Sequence, residues 1–354
     1  MLDFLIIGQG IAGTALSRAL LERGATLRVI DQDSPYTASH AASGMCNPIT
    51  GRRLVKTWQA EALFPFLKTY YHALAQSLSA DFWREMEIFR PFDNLRQYND
   101  WQVKKDLPSW QAFIQAQTDL QAYAPYLDLP YEGWRTQQAL HVNAPLLIAA
   151  YRQFLQSRGL WQAAHFRYED LRLRPEGVIW QGITARRVVF CEGARVVRNP
   201  WFGHLPFRPD KGEWLLIEIP SAPPLSEAIK KGVFLIPVAP HRFLVSGTYQ
   251  SREALHYLPT MTSRQYLSQE LKKFLKMPFR ILEQRAGLRG ATKQRRPLMG
   301  LHPRFPALAL FNGFGTKGLS LAPYLAEMFA DFLMDKGPIW PEVDIQHYQI
   351  DESA

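Results

Sequence analysis

Four apolar residues, Phe4 to Ile7, run directly into a group of glycines at Gly8, Gly10 and Gly13. A short unbroken apolar run of this kind predicts a strand buried on both faces of a parallel sheet. Beyond the glycines, Ala15, Leu16, Ala19 and Leu20 recur at helical spacing, and Gly24 closes the helix before a second apolar run, TLRVI, that ends at Asp31. The order is strand, tight turn, helix, strand. A polar, small-residue stretch (SPYTASHAASGMCNPITGRR, 34–53) then reads as a loop or short helix, and a helical pattern covers 58–77.

Between 80 and 138 the texture changes to many aromatics with scattered prolines, as expected of a separate covering layer. A helix over 146–158 stops at Gly159, and RRVVFCEGA (186–194) reads as a strand ending in a turn. Three further strand-like runs, EWLLIEI, GVFLIPV and RFLVSGTY, predict a mostly antiparallel sheet over 213–249, followed by a helix over 266–275. The chain therefore reads as α/β (α+β overall): a Rossmann-like domain with a parallel sheet, interleaved with a second domain on a mostly antiparallel sheet.

A length of 354 residues supports two domains better than one core, and 47% apolar with 21% charged residues is ordinary for a folded globular protein. The apolar runs are strand-sized, so no membrane span is expected, and the start lacks the basic region and cleavage site of a signal peptide. Cys46 and Cys191 make neither a disulfide framework nor a zinc motif, and no metal is expected. A cytoplasmic, reducing setting fits. The net charge of +9, with arginine pairs at 52–53, 186–187 and 295–296, suits acidic small molecules or nucleic acid, although a generally basic surface explains it equally. Oligomeric state leaves no trace in the composition.

The glycine spacing is G-x-G-x-x-G. Gly8 permits the turn, Gly10 lets the backbone approach a pyrophosphate, and Gly13 allows close helix packing, with the helix N-terminus facing the anion. Asp31 is placed to accept from a ribose hydroxyl and disfavours a 2′-phosphate, which makes NADP the poorest occupant. NAD and FAD are not separated by these glycines.

Five segments resemble the D-amino-acid oxidase superfamily of FAD enzymes, and most closely its glycine oxidase and sarcosine oxidase branch. These are GQGIAG with Asp31, AASGM (41–45), VVFCEGA, AGLRGATKQRRPLMG (286–300) and NGFGTKGLSLAPYLAEMFADFLM (312–334). The resemblance implies FAD, held noncovalently because neither cysteine lies beside the arginine-bearing segment. It implies cofactor contacts from Gly8, Gly10, Ile11, Ala12, Gly13, Asp31 and Gln32, and from Ser43, Gly44 and Met45 in a loop around the pyrophosphate. Further contacts are implied at Gly193 and Gly287, and at Gly313, Gly315, Thr316, Lys317, Gly318 and Leu319. It further implies an FAD-binding domain of 1–80, 141–203 and 283–354 and a substrate domain of 81–140 and 204–282. Gly290, Ala291, Gln294 and Arg295 depart from the family pattern after Arg289, where substrate shape is set.

Amine oxidation in such enzymes moves a hydride to flavin N5, so the protein chiefly positions the carbon and needs no nucleophile. An amino-acid carboxylate is best clamped by a planar guanidinium. The resemblance assigns that clamp to Arg289. It places Lys317 at the substrate carboxylate or flavin O2, Arg52 over the flavin face and Tyr249 over the substrate. His204, His241 and His302 read as structural. The expected partner is a small carboxylate-bearing amine, oxidised at its C–N bond with hydrolysis of the resulting imine. Two alternatives are removal of a carboxymethyl group from a modified wobble uridine in tRNA, and a flavin-holding scaffold without turnover.

Overall fold

A computed structural model describes residues 1–51, 54–116, 121, 123–248, 250–251 and 256–348. The apolar opening run forms the central strand of an eight-stranded sheet, Leu2–Ile7, with Phe4, Leu5, Ile6 and Ile7 all buried. Parallel neighbours flank it: Leu27–Asp31 and then Trp161–Ala163 on one side, Ile183–Phe190 and then Leu308–Asn312 on the other. Antiparallel strands finish that second edge. The hairpin Leu171–Arg174 and Gly177–Trp180 pairs with the start of Ile183–Phe190, and Leu298–Leu301 pairs with Leu308–Asn312.

The helix Ile11–Glu22 follows the glycine turn as the spacing predicts, burying Ala12, Ala15, Leu16, Ala19 and Leu20. Its main partner is the last long helix, Gly318–Leu333, and at its C-terminal end Arg23 ion-pairs with Glu327 at 2.7 Å and Asp331 at 2.8 Å. The helix expected over 58–77 is Ala60–Leu78, and that over 146–158 is Ala144–Ser157. The helix expected over 266–275 starts earlier, at Met261, because the Thr260 side chain accepts from the Ser263 N–H and caps it there.

The second sheet has nine strands. The three apolar runs of the middle region become Asp210–Glu218, Val233–Ala239 and Arg242–Ser246, each antiparallel to its neighbour in the order Val233–Ala239, Arg242–Ser246, Asp210–Glu218. The aromatic stretch adds Ile88–Pro91, Ile114–Ala116 and Gly133–Thr136, and one parallel pair, Ala228–Lys231 with Ile88–Pro91, joins the two groups. Arg280–Arg289, a strand that crosses position 283, lies wholly in this sheet, antiparallel to Asp210–Glu218. A small third sheet pairs Met45–Cys46, Leu140–Val142 and Trp83–Glu85. Among the described residues no helix is long and apolar enough to cross a membrane, and no cluster of His, Cys, Asp and Glu could hold a metal ion.

One glycine locks the first strand to the first helix. A Cβ on Gly13 would sit 1.9 Å from the Gly8 carbonyl oxygen, well inside contact distance and against rigid backbone. Gly13→Ala is therefore expected to destabilise the fold by roughly 2–4 kcal/mol, read as a lower urea midpoint at unchanged slope. An unchanged midpoint would mean that the turn yields at no cost.

Candidate active site

A cleft opens where the two sheets meet, against the ends of the parallel strands. The glycine turn supplies Gly8, Gly10, Ile11 and Ala12, and the second strand supplies Ile30 and Asp31 with Gln32 beyond it. The turn after Ile183–Phe190 adds Cys191, Glu192 and Gly193, while Leu288, Gly290, Gly315 and Gly318 come from the C-terminal third. Ligands in open α/β sheets bind at this end of the strands.

Two helix N-termini converge there. A Cβ on Gly318 would lie 2.9 Å from Ile11 Cγ2, so the starts of the two helices touch. Neither helix has an acidic residue in its first turn or a side-chain cap from its own N-cap residue. Ser39, in the loop after the second strand, instead accepts from the Ile11 N–H at 3.1 Å. The remaining N–H groups of the first turns and the two dipoles make an anion site.

Asp31 accepts from the backbone N–H of Gln9 and of Asp33, each at 2.7 Å, which fixes its carboxylate beside the cleft. A carboxylate has about four acceptor positions, so two hydrogen bonds leave capacity for a ribose hydroxyl. Glu192 is buried. Burial raises its carboxyl above the usual range, against the hydrogen bonds it takes from Asn199 at 2.9 Å and Tyr168 at 2.7 Å. Asn312, also lining the cleft, donates to the Gly193 carbonyl at 3.1 Å and accepts from Gly313 N–H.

Alternation along Arg280–Arg289 separates two surfaces. Leu288 and Gly290 face the cleft, whereas the Arg289 side chain turns away onto the antiparallel sheet, where Gly212 leaves room for it: a Cβ there would lie 1.7 Å from Arg289 Nη2. Arg289 donates to Asp210 at 2.7 Å across the strand pair and to the Thr248 carbonyl at 3.5 Å. Gly290 then crosses back with no space for a side chain, its Cβ position being 2.7 Å from the Gly193 carbonyl carbon, and its own carbonyl accepts from the Gly315 N–H.

Lys317 stands immediately before the Gly318 helix. Burial, with Arg296 and Arg295 nearby, pulls its ammonium down to about 8. Arg296 lies over the Trp58 ring at 4.8 Å.

Of the residues singled out in the sequence, Gly8, Gly10, Ile11, Ala12, Asp31, Gln32, Gly193, Gly315 and Gly318 line the cleft. Gly13, Gly287, Gly313, Thr316, Lys317 and Leu319 do not; Gly287 packs on Ala38 and Ala41, and Gly313 on Thr292. Ser43, Gly44 and Met45 are held elsewhere, because Met45 pairs with His141 in the small sheet and Gly44 is wedged against the Val142 carbonyl. The loop residues at the cleft are Ser34, Tyr36, Thr37, Ala38 and Ser39, just upstream. Arg52 and Tyr249 lie outside the described residues. Tyr257, Glu192 and Asn312 were missed; Glu192 and Asn312 stand inside the motifs VVFCEGA and NGFGTKG, whereas Tyr257 carried no local signal.

The comparisons agree with this geometry. Residues 3–332 match the family model described as DAO, FAD dependent oxidoreductase. The chain belongs to that family. FAD is its cofactor, and the cleft suits it: converging helix ends for a pyrophosphate, glycine backbone for close approach and Asp31 for a ribose. Among curated relatives, the bifunctional protein ThiO/ThiG of Trichormus variabilis is 24% identical over 359 residues, covering 94% of this chain and 53% of that protein. The tRNA 5-methylaminomethyl-2-thiouridine biosynthesis bifunctional protein MnmC of Nitrosospira multiformis is 26% identical, covering 92% of this chain and 56% of that protein. The chain thus spans about half the length of these relatives. Glycine oxidase from Geobacillus kaustophilus superposes with a TM-score of 0.81 at 20% identity over 100% of this chain and 99% of its own, and iminodiacetate oxidase from Chelativorans sp. BNC1 with 0.77 at 19% over 98% of each. At such identities these two structures speak for the fold.

Lys317 gives a pH prediction for the cofactor-free protein. Its folded value, about 8, lies below the ordinary lysine value of 10.5, so holding its charge costs stability below pH 8. That cost fades as pH rises through 10.5, above which the lysine is largely neutral in both states. Lys317→Met should raise the melting temperature at pH 7 and lose its advantage above pH 10.5. A variant less stable at pH 7 would contradict this.

Proposed function

We propose that the protein oxidises the C–N bond of a small amino acid or N-substituted glycine. FAD, once bound, would supply the acceptor for a hydride from the carbon beside the substrate nitrogen, and the resulting imine would hydrolyse to an oxo acid and an amine. The observation that carries this reading is the register of Arg280–Arg289, which turns Arg289 onto the substrate sheet between two residues that line the cofactor cleft.

Arg289 orients the substrate carboxylate with its planar fork, steadied on Asp210. Lys317, among Arg295 and Arg296, puts positive charge near a carboxylate or the electron-rich end of the reduced flavin. Arg52 and Tyr249 take the flavin-face and substrate-covering roles that the family resemblance gives them. Gly13, Gly287, Gly313, Thr316 and Leu319 shape the cleft walls from behind. FAD is held without a covalent bond: both thiols are buried, which pushes them well above the ordinary cysteine range and disfavours the thiolate.

A second reading has one specific support, the likeness to MnmC over 92% of this chain together with the net charge of +9. A carboxymethylaminomethyl uridine is itself an N-substituted glycine, and the same clamp would serve it.

Anaerobic titration with glycine, sarcosine, iminodiacetate, D-alanine and D-proline tests both. Bleaching of the flavin bands by one of them supports the first reading. Bleaching only by tRNA bearing the carboxymethylaminomethyl group supports the second, and no bleaching by any of them contradicts both. In the productive case Arg289→Lys should lower kcat/KM by about 10- to 150-fold with the flavin spectrum unchanged, since the charge stays and the fork is lost. Unchanged kinetics would remove Arg289 from the site.

A further inference from the structure

Two tyrosines on the cleft have no role in the chemistry above. Tyr36 comes from the loop after the second parallel strand, and Tyr257 from the segment leading into the Met261–Lys272 helix beside the antiparallel sheet. Both line the cleft, and both remain well exposed, at 51% and 40%, so they stand on its rim. Their rings meet across it with centroids 6.3 Å apart and planes tilted by 46°, within the range of a favourable aromatic pair.

Each ring is carried on an anchored segment. On the Tyr36 side, the Trp214 indole donates to the Ala41 carbonyl at 3.0 Å, and Thr37 bridges to Leu288. On the Tyr257 side the anchor is a buried ion pair. Lys211 and Glu213 lie 3.2 Å apart with side chains fully removed from solvent. Lys211 Nζ donates to the Leu258 carbonyl, the next residue after Tyr257. Glu213 takes the Thr260 N–H at 2.9 Å and hydroxyl at 2.8 Å, and Gln284 bonds both Glu213 and the Thr260 carbonyl at 2.8 Å. Burial alone would raise the Glu213 carboxyl, but these donors hold it below its ordinary value. Such a pair is costly to break from one side, because the remaining charge stays buried. The segment behind Tyr257 is thus rigid, while the tyrosine itself projects to the solvent edge.

We infer that Tyr36 and Tyr257 form a clasp across the mouth of the cofactor cleft, and that FAD leaves only when the two rings part. The clasp adds a cofactor-retaining contact supplied jointly by the two sheets. It holds whatever the oxidised substrate is, since it acts on the resting flavoprotein.

The test is the rate at which flavin fluorescence rises after dilution of the FAD-loaded protein. Tyr36→Ala and Tyr257→Ala should each speed release by about three- to tenfold, the size of one aromatic contact. The double variant should release FAD no faster than the faster single one, because either change opens the same clasp. Tyr36→Leu and Tyr257→Leu, which keep apolar bulk but lose the ring, should give the same order. Leu258→Ala, at an exposed neighbour that does not line the cleft, should leave release unchanged. The clasp is overturned if neither tyrosine matters, if only one does, if their effects multiply, or if Leu258→Ala speeds release as much as Tyr257→Ala.

Discussion

Two helices begin in contact at Ile11 and Gly318, with their first-turn N–H groups facing one cleft and no acid in either first turn. Each such end carries roughly half a positive charge, so bringing two together is unfavourable until an anion lies between them. Packing holds them in place. The buried stripe of Ile11–Glu22 lies in one core with the face of Gly318–Leu333, and Arg23 ties the far end of the first helix to Glu327 and Asp331. The glycines at the turn follow from this constraint, since the strand must release the chain into a helix within three residues of a rigid carbonyl.

The second sheet is joined to this anion site through one strand. Arg280–Arg289 pairs along nearly all of Asp210–Glu218, and only after Arg289 does the chain cross to Gly193 through Gly290. That short crossing gives the strand its two surfaces. Leu288 and Gly290 face the cleft, while Arg289 faces the antiparallel sheet, with Asp210 fixing one edge of its guanidinium. Gly290 allows close backbone contact with Gly193 at this crossing.

Much of this was legible in the sequence where the signal was local. The opening strand, helix and acid are set by neighbours within about thirty residues, and the three apolar runs of the middle region become antiparallel strands as expected. What escaped depends on distant partners. Met45 pairs with His141 in the small sheet, and the loop residues that line the cleft lie within 34–39. Lys211 and Glu213 are buried in one strand with hydrogen-bond partners at Leu258, Thr260 and Gln284, all distant in the chain. Tyr36 and Tyr257 are 221 residues apart, and nothing local marks them as a pair.

The role of the converging helix ends is tested most directly by the affinity of the cofactor-free protein for FAD, FMN, riboflavin and ADP. A cleft dominated by the pyrophosphate at Ile11 and Gly318 should bind FAD tightly, lose most of that affinity with FMN and riboflavin, and accept ADP as a competitor. Riboflavin binding as tightly as FAD, with ADP without effect, would contradict it.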